Sequence, residues 1–253
     1  MKNLNVLPLA ILGTVVGAII GGVLVVLRTL PPSASAQAGD IDQLYAAFLF
    51  VSGIIFGIVV LVMLVAIFRF RARPNDTRDG SNLHGITWLE VLWTVIPFIL
   101  VLAVAFVSWP LLNKDNVSGA AEKSGQRIHI TAYQFGWKFT YLNAGLNIKD
   151  SPDLVVPVNE PIAFDITTMD VMHSFWVPAW RMQMAATPAQ TNYTSATPTQ
   201  IGDYDIVCAF LCGIGHTQMN SAVAGGLVKQ VRVVSKADFD AWVAKTQAKA
   251  AAS

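Results

Sequence analysis

Cys208-Ala209-Phe210-Leu211-Cys212-Gly213-Ile214-Gly215-His216-Thr217-Gln218-Met219 sets four soft donors in one short stretch, spaced C-x3-C-x3-H-x2-M. A further imidazole, His173, lies upstream in Met172-His173-Ser174-Phe175. Thiolate, imidazole and thioether together suit copper and suit magnesium or calcium poorly. A single blue-copper centre takes one Cys, two His and a weak Met, whereas here two Cys share one loop. Two thiolates that each bridge two ions would give a dinuclear copper pair with one His per ion. Such sharing spreads one unpaired electron over both metals, so geometry changes little when an electron arrives. The pair then relays electrons and is a poor site for substrate chemistry. Two readings compete. The cysteines alone would suit a disulfide, and Cys2His2 would suit zinc, although zinc explains neither Met219 nor a membrane anchor.

Around this stretch the chain is rich in short β-forming runs. They are Arg127–Thr131, Lys138–Tyr141, Leu154–Val158, Ile162–Thr167, Tyr204–Val207 and Gly226–Val234. Several alternate in polarity with the period of a half-buried strand, and their spacing suits a small sandwich or barrel. Ser235 can cap a closing helix in which Phe239, Trp242 and Val243 form one apolar stripe.

The first half has a different texture. Of 253 residues, 54% are apolar and only 13% charged, about half the charge of a soluble domain. A purely soluble fold is excluded. The net charge of +1 is too balanced for a nucleic-acid binder, and two cysteines cannot build a disulfide scaffold. Asn3 to Leu27, Gln43 to Phe68 and Val91 to Asn113 carry no charge. Each exceeds the ~20 residues that span a bilayer as a helix. Arg69-Phe70-Arg71-Ala72-Arg73-Pro74, with Arg78 and His84, forms a basic loop that should face the cytoplasm, which puts everything after Trp109-Pro110 outside. The first span has two readings. Lys2 before it and Ala34-Ser35-Ala36-Gln37-Ala38 after it look like a signal peptide, yet its apolar stretch is longer than a signal core, and Arg28 falls on the exterior side either way.

The donor loop and its surroundings resemble subunit II of cytochrome c oxidase, the CuA-bearing subunit of haem-copper terminal oxidases. The resemblance runs from about residue 44 to 243. It rests on Leu89-Glu90-Val91-Leu92-Trp93-Thr94-Val95-Ile96-Pro97, Gln134-Phe135-Gly136-Trp137, Asp170-Val171-Met172-His173-Ser174-Phe175-Trp176-Val177-Pro178 and the Cys208–Met219 loop. It implies a membrane-anchored α+β chain, with a transmembrane helical hairpin, an extra N-terminal helix as an option, and a cupredoxin-like β-barrel. The expected division is 1–38, an N-terminal apolar helix or signal segment; 39–113, the hairpin; 114–234, the exterior CuA domain; and 235–253, a C-terminal helix and tail.

By the same resemblance, Cys208 and Cys212 bridge two coppers, His173 and Met219 complete one ion, and His216 with the backbone carbonyl of Phe210 completes the other. The family often has Glu where Phe210 stands, and that Glu also holds magnesium; Phe210 offers no such side-chain ligand. Phe135 stands where the family commonly has an electron-input Trp, with Trp137 two residues on as a second candidate or as core. The family's acidic residue before a proline is also missing in Ala185-Ala186-Thr187-Pro188. Between Lys114 and Val234 there are 9 acids and 8 bases, so a donor should dock mainly by apolar contact. Glu90 reads either as an interfacial acid at a helix start or as the mouth of a proton pathway.

The expected role is electron input to a respiratory oxidase. An exterior donor, a cytochrome c or small copper protein, reduces the copper pair. The electron then passes to haem in subunit I, which with CuB reduces dioxygen to water as protons are translocated. The expected partners are that haem-bearing subunit, other oxidase subunits, the donor and membrane lipid, with no nucleic acid. The expected location is the cell membrane, multi-pass, with the C-terminal domain outside. A nitric oxide reductase subunit and a tethered copper-delivery protein are the alternatives. His84 falls on the cytoplasmic side and His129 has no donor neighbours in sequence, so neither is expected to bind copper.

Overall fold

A computed structural model describes residues 6–27, 30–71, 85–114, 126–143, 145–146, 148–223 and 226–251. Lys2, Arg28, Ala72, Arg73, Pro74, Arg78 and His84, which enter the topology reading, lie outside the described residues. The chain divides into two compact units. One holds α1 (Val6–Leu27) and most of α2 (Ala38–Arg69) and α3 (Thr87–Lys114); the other holds the β-strands, the closing helix and residues 30–41.

All three helices are long and apolar enough to cross a bilayer. Apolar side chains stay exposed all round them, among them Ile11, Ile19, Val26, Val59, Phe68, Phe98 and Phe106. A helix apolar on every face fits lipid, not water. Pro97 and Pro110 lie inside α3, a position that membrane helices tolerate. The described chain thus has three candidate spans, one more than a hairpin.

The second unit is a cupredoxin-like β fold. Its strands are β1 (Gln126–Tyr133), β2 (Gly136–Tyr141), β3 (Val155–Pro157), β4 (Ile162–Thr168), β5 (His173–Val177), β6 (Met182–Ala186), β7 (Asn192–Ala196), β8 (Gly202–Tyr204), β9 (Val207–Cys208) and β10 (Val231–Val234). They form sheets in the orders β2-β1-β4-β7, β3-β10-β8 and β6-β5-β9. The β1–β4 and β3–β10 pairs are parallel and the others antiparallel. β1 alternates as its sequence predicts, with Ile128, Ile130 and Ala132 buried and Arg127 and His129 turned outward. Their inward face meets Phe164, Ile166, Phe175 and Trp180 in one core.

Two runs differ from the sequence reading. Tyr204–Val207 is split between β8 and β9, and only the end of Gly226–Val234 pairs as β10. The closing helix α4 (Lys236–Ala251) begins as expected, with the Ser235 hydroxyl accepting from the Asp238 N–H at 3.1 Å. Its Phe239 and Trp242 pack on Tyr141.

Candidate metal centre

His173 opens β5 with its side chain fully buried. The neighbouring β9 pairs Cys208 opposite Phe175, which brings the thiol alongside the imidazole. From there the chain loops through Gly213, whose φ of +133° favours glycine, and enters a 3-10 turn over His216–Met219. That turn carries His216 and Met219 back toward the thiols.

The result is a connected group of donors. Cys208 Sγ lies 3.9 Å from His173 Nδ1 and 3.9 Å from Cys212 Sγ. Cys212 Sγ lies 3.6 Å from His216 Nδ1 and 3.5 Å from Met219 Sδ. The Phe210 carbonyl oxygen is 3.3 Å from Cys208 Sγ. Both cysteines are free and buried. With metal bonds of about 2.0–2.3 Å, two donors on one tetrahedral ion sit ~3.3–3.8 Å apart, close to the separations of 3.3 to 3.9 Å found here. Ligand atoms of His173, Cys208 and Cys212 all fall within 4.8 Å of one another. Soft donors at this spacing, with His173, Cys208, Cys212 and Met219 buried and His216 partly so, fit copper.

Two residues that the sequence reading gave no role hold the donors in place. Asp170 Oδ1 lies 2.8 Å from His173 Nε2, so that nitrogen carries the proton and Nδ1 keeps its lone pair for a metal. Asp170 also accepts from the backbone N–H groups of Gln134 at 2.6 Å and Val171 at 2.7 Å. Burial alone would raise the Asp170 pKa, but the hydrogen bonds from His173, Gln134, Val171 and Thr168 hold it below its ordinary value. Gln134 Nε2 in turn donates to the Cys212 carbonyl at 2.6 Å and ties the two loops together. An acid three residues before a candidate His ligand was the available signal for Asp170; nothing local marks Gln134. Burial, and then the neighbouring Cys208 thiol, push the Cys212 thiol up to about 12.

Phe135 is half-buried over the donor loop, and a Cβ added at Gly215 would lie 2.4 Å from its ring. Trp137 is only 3% exposed and stands edge-on to Phe175 and His173, with centroids 5.1 and 6.1 Å away. That burial keeps it from the surface a donor would touch, so it is a wall of the site. Glu90 is exposed in the first turn of α3, and His129 bonds Thr167 at 2.9 Å. Around the centre, the loops 169–172 and 209–214 expose Met169, Val171, Met172, Phe210, Leu211 and Ile214.

Residues 22–111 match the family described as cytochrome c oxidase subunit II, transmembrane domain, and residues 130–225 match its periplasmic domain. The chain is 30% identical to the probable cytochrome c oxidase subunit 2 of Rickettsia bellii, over 84% of this chain and 81% of that one. It is 31% identical to cytochrome c oxidase subunit 2 of Alkalihalophilus pseudofirmus, over 74% of this chain, and spans about half (52%) of that relative's length. Among solved structures, the crystallised periplasmic domain of subunit II of cytochrome oxidase from Bradyrhizobium japonicum is 27% identical with a TM-score of 0.42. That likeness covers 50% of this chain and 96% of that one.

Proposed function

Because the chain belongs to the cytochrome c oxidase subunit II family, we propose that it is the membrane-anchored electron-input subunit of a respiratory haem-copper oxidase. The observation that carries this reading is the convergence of His173, Cys208, Cys212, His216 and Met219 on one spot, buried except at His216, beside the Phe210 carbonyl. Copper bound there would supply a one-electron relay shared between two ions. In the finer assignment, Cys208 and Cys212 would hold both ions, His173 and Met219 would serve one, and His216 and the Phe210 carbonyl would serve the other.

The remaining work belongs to the chain's own groups. Asp170 fixes the ring and tautomer of His173. Gln134 anchors the backbone between the donors. Fully buried Met219 and Trp137 exclude water from the inner side. A cage whose donors are tied to the fold in this way would suit electron passage, since it would move little as charge comes and goes.

The donor, a cytochrome c or small copper protein, docks on the apolar face formed by Met169, Val171, Met172, Leu211 and Ile214, with Phe135 beside the loop. The electron then passes to a haem-bearing partner subunit, where dioxygen is reduced and protons are moved. Glu90 serves proton delivery at the start of α3, and Phe210 contributes no side chain to a magnesium site. The test is copper loading of the detergent-solubilised chain. Two coppers per chain are expected, with Cys208→Ser and Cys212→Ser each removing the coloured centre. One copper per chain, or colour surviving both substitutions, would reject the reading.

A further inference from the structure

We infer that α1 is a permanent third membrane helix, locked backbone to backbone against α2, and that the small-residue segment after it is a structural part of the exterior domain instead of a leader's cleavage site. The family's transmembrane match begins at residue 22, so most of α1 precedes it. What α1 does must therefore be read from its own packing.

Gly13, Gly17 and Gly21 are the buried positions of α1 among the described residues and recur every fourth residue, on one face. A Cβ at Gly17 would lie 2.6 Å from Ile54 Cα and 2.7 Å from the Gly53 carbonyl oxygen; one at Gly21 would lie 2.6 Å from the Phe50 carbonyl oxygen. The fit is reciprocal. A Cβ at Gly53 would lie 2.4 Å from Gly21 Cα, and one at Gly57 would lie 2.4 Å from Gly17 Cα. Lipid gives helices no hydrophobic reason to associate, so close backbone approach through small residues is what holds them together. Here both partners carry the small residues, at matching positions. A segment that leaves the protein needs no partner face.

The segment between α1 and α2 gives independent support. Ala34 and Ala38 are wholly buried and Ser35 is nearly so. The Ala34 N–H donates to the Ala179 carbonyl and the Ala34 carbonyl accepts from the Thr199 N–H, both at 2.9 Å. The Ala36 N–H donates to the Thr197 carbonyl at 2.9 Å, and the Ser35 hydroxyl donates to the Trp180 carbonyl at 2.8 Å. Arg181 and Gln200 donate to the carbonyls of Pro31 and Ser33 at 2.9 and 3.0 Å. Cleavage after Ala36 would strip all of these bonds from the domain and leave the carbonyls of buried Ala179 and Trp180 without them. The stretch resembles a peptidase site because both uses need small residues; here the need is burial against the Trp180 segment.

Two measurements test this without reference to copper. The full chain, carrying a C-terminal tag, is purified from membranes and its N-terminus sequenced. Retention of α1 is expected, with an N-terminus that precedes Val6. A mature chain that begins anywhere from residue 28 to 39 overturns the inference. Gly17→Leu is then compared with Gly22→Leu, whose added Cβ meets nothing within 4 Å. Gly22→Leu should match the parent in folded yield and thermal midpoint, while Gly17→Leu loses most of its folded yield. Equal behaviour of the two variants, whether harmless or damaging, overturns the packing.

Discussion

At the residue scale, the Asp170 carboxylate sits 2.8 Å from His173 Nε2 and takes two backbone N–H groups besides. Its charge holds the ring in place and fixes which imidazole nitrogen is free. Asp170→Asn keeps the shape but removes the charge. Copper affinity should fall about tenfold to a hundredfold, read by competition with a chelator of known strength; an unchanged affinity would mean Asp170 is only a turn-former. Cys212 yields a second expectation. Burial pushes its thiol up to about 12, so it is protonated at neutral pH, and a metal must expel that proton before the sulfur can bind. Proton release should accompany copper uptake in weakly buffered solution. Apparent affinity should rise with pH, by about tenfold per unit for each proton displaced. A pH-independent affinity would contradict this. The donors were legible in the sequence because side-chain type and local spacing carry their chemistry. Asp170 and Gln134 were not, since an acid or an amide in a loop gains a role only when the fold aims it.

At the scale of elements, the donor loop and the β1–β2 turn fit each other tightly. Gly215 has no room for a Cβ beside the Phe135 ring, with the nearest ring carbon 2.4 Å away. Gly215→Ala should cost about 1–3 kcal/mol by overpacking, measured as a lower unfolding midpoint of the copper-free chain. Adding Phe135→Leu should recover part of the loss, and no loss in the single variant would mean the ring is free to swing away. Strand legibility followed polarity. β1 and β4 were readable from their apolar and alternating runs. β5 was missed because four of its five residues are buried, which erases alternation and leaves a short apolar run with no period. β6 and β7 were missed for the opposite reason: their mixture of Met, Gln, Ala, Asn and Thr has no strong face. The segment 30–38 carried no strand signal at all, since its order comes mainly from hydrogen bonds to the domain and from small side chains buried against it, neither of which leaves a period in the sequence.

On the scale of the whole molecule, charge is scarce and apolar surface is placed where it is used. The helices show theirs to lipid, and the exterior domain shows part of its own beside the candidate metal centre. With 9 acids against 8 bases from Lys114 to Val234, there is no strong field to steer a donor. The donor's electron-transfer rate should therefore change by less than about twofold as salt is raised, against the 10- to 1000-fold that steering can supply. A steep fall with salt would point to a charged docking patch instead. The membrane half was legible from composition alone, because lipid tolerates little else. The electron spin resonance spectrum of the copper-loaded chain at one-electron oxidation tests most directly whether the two thiolates are shared. The geometry predicts hyperfine splitting from two equivalent copper nuclei sharing a single unpaired electron; the simple pattern of one copper nucleus would contradict it.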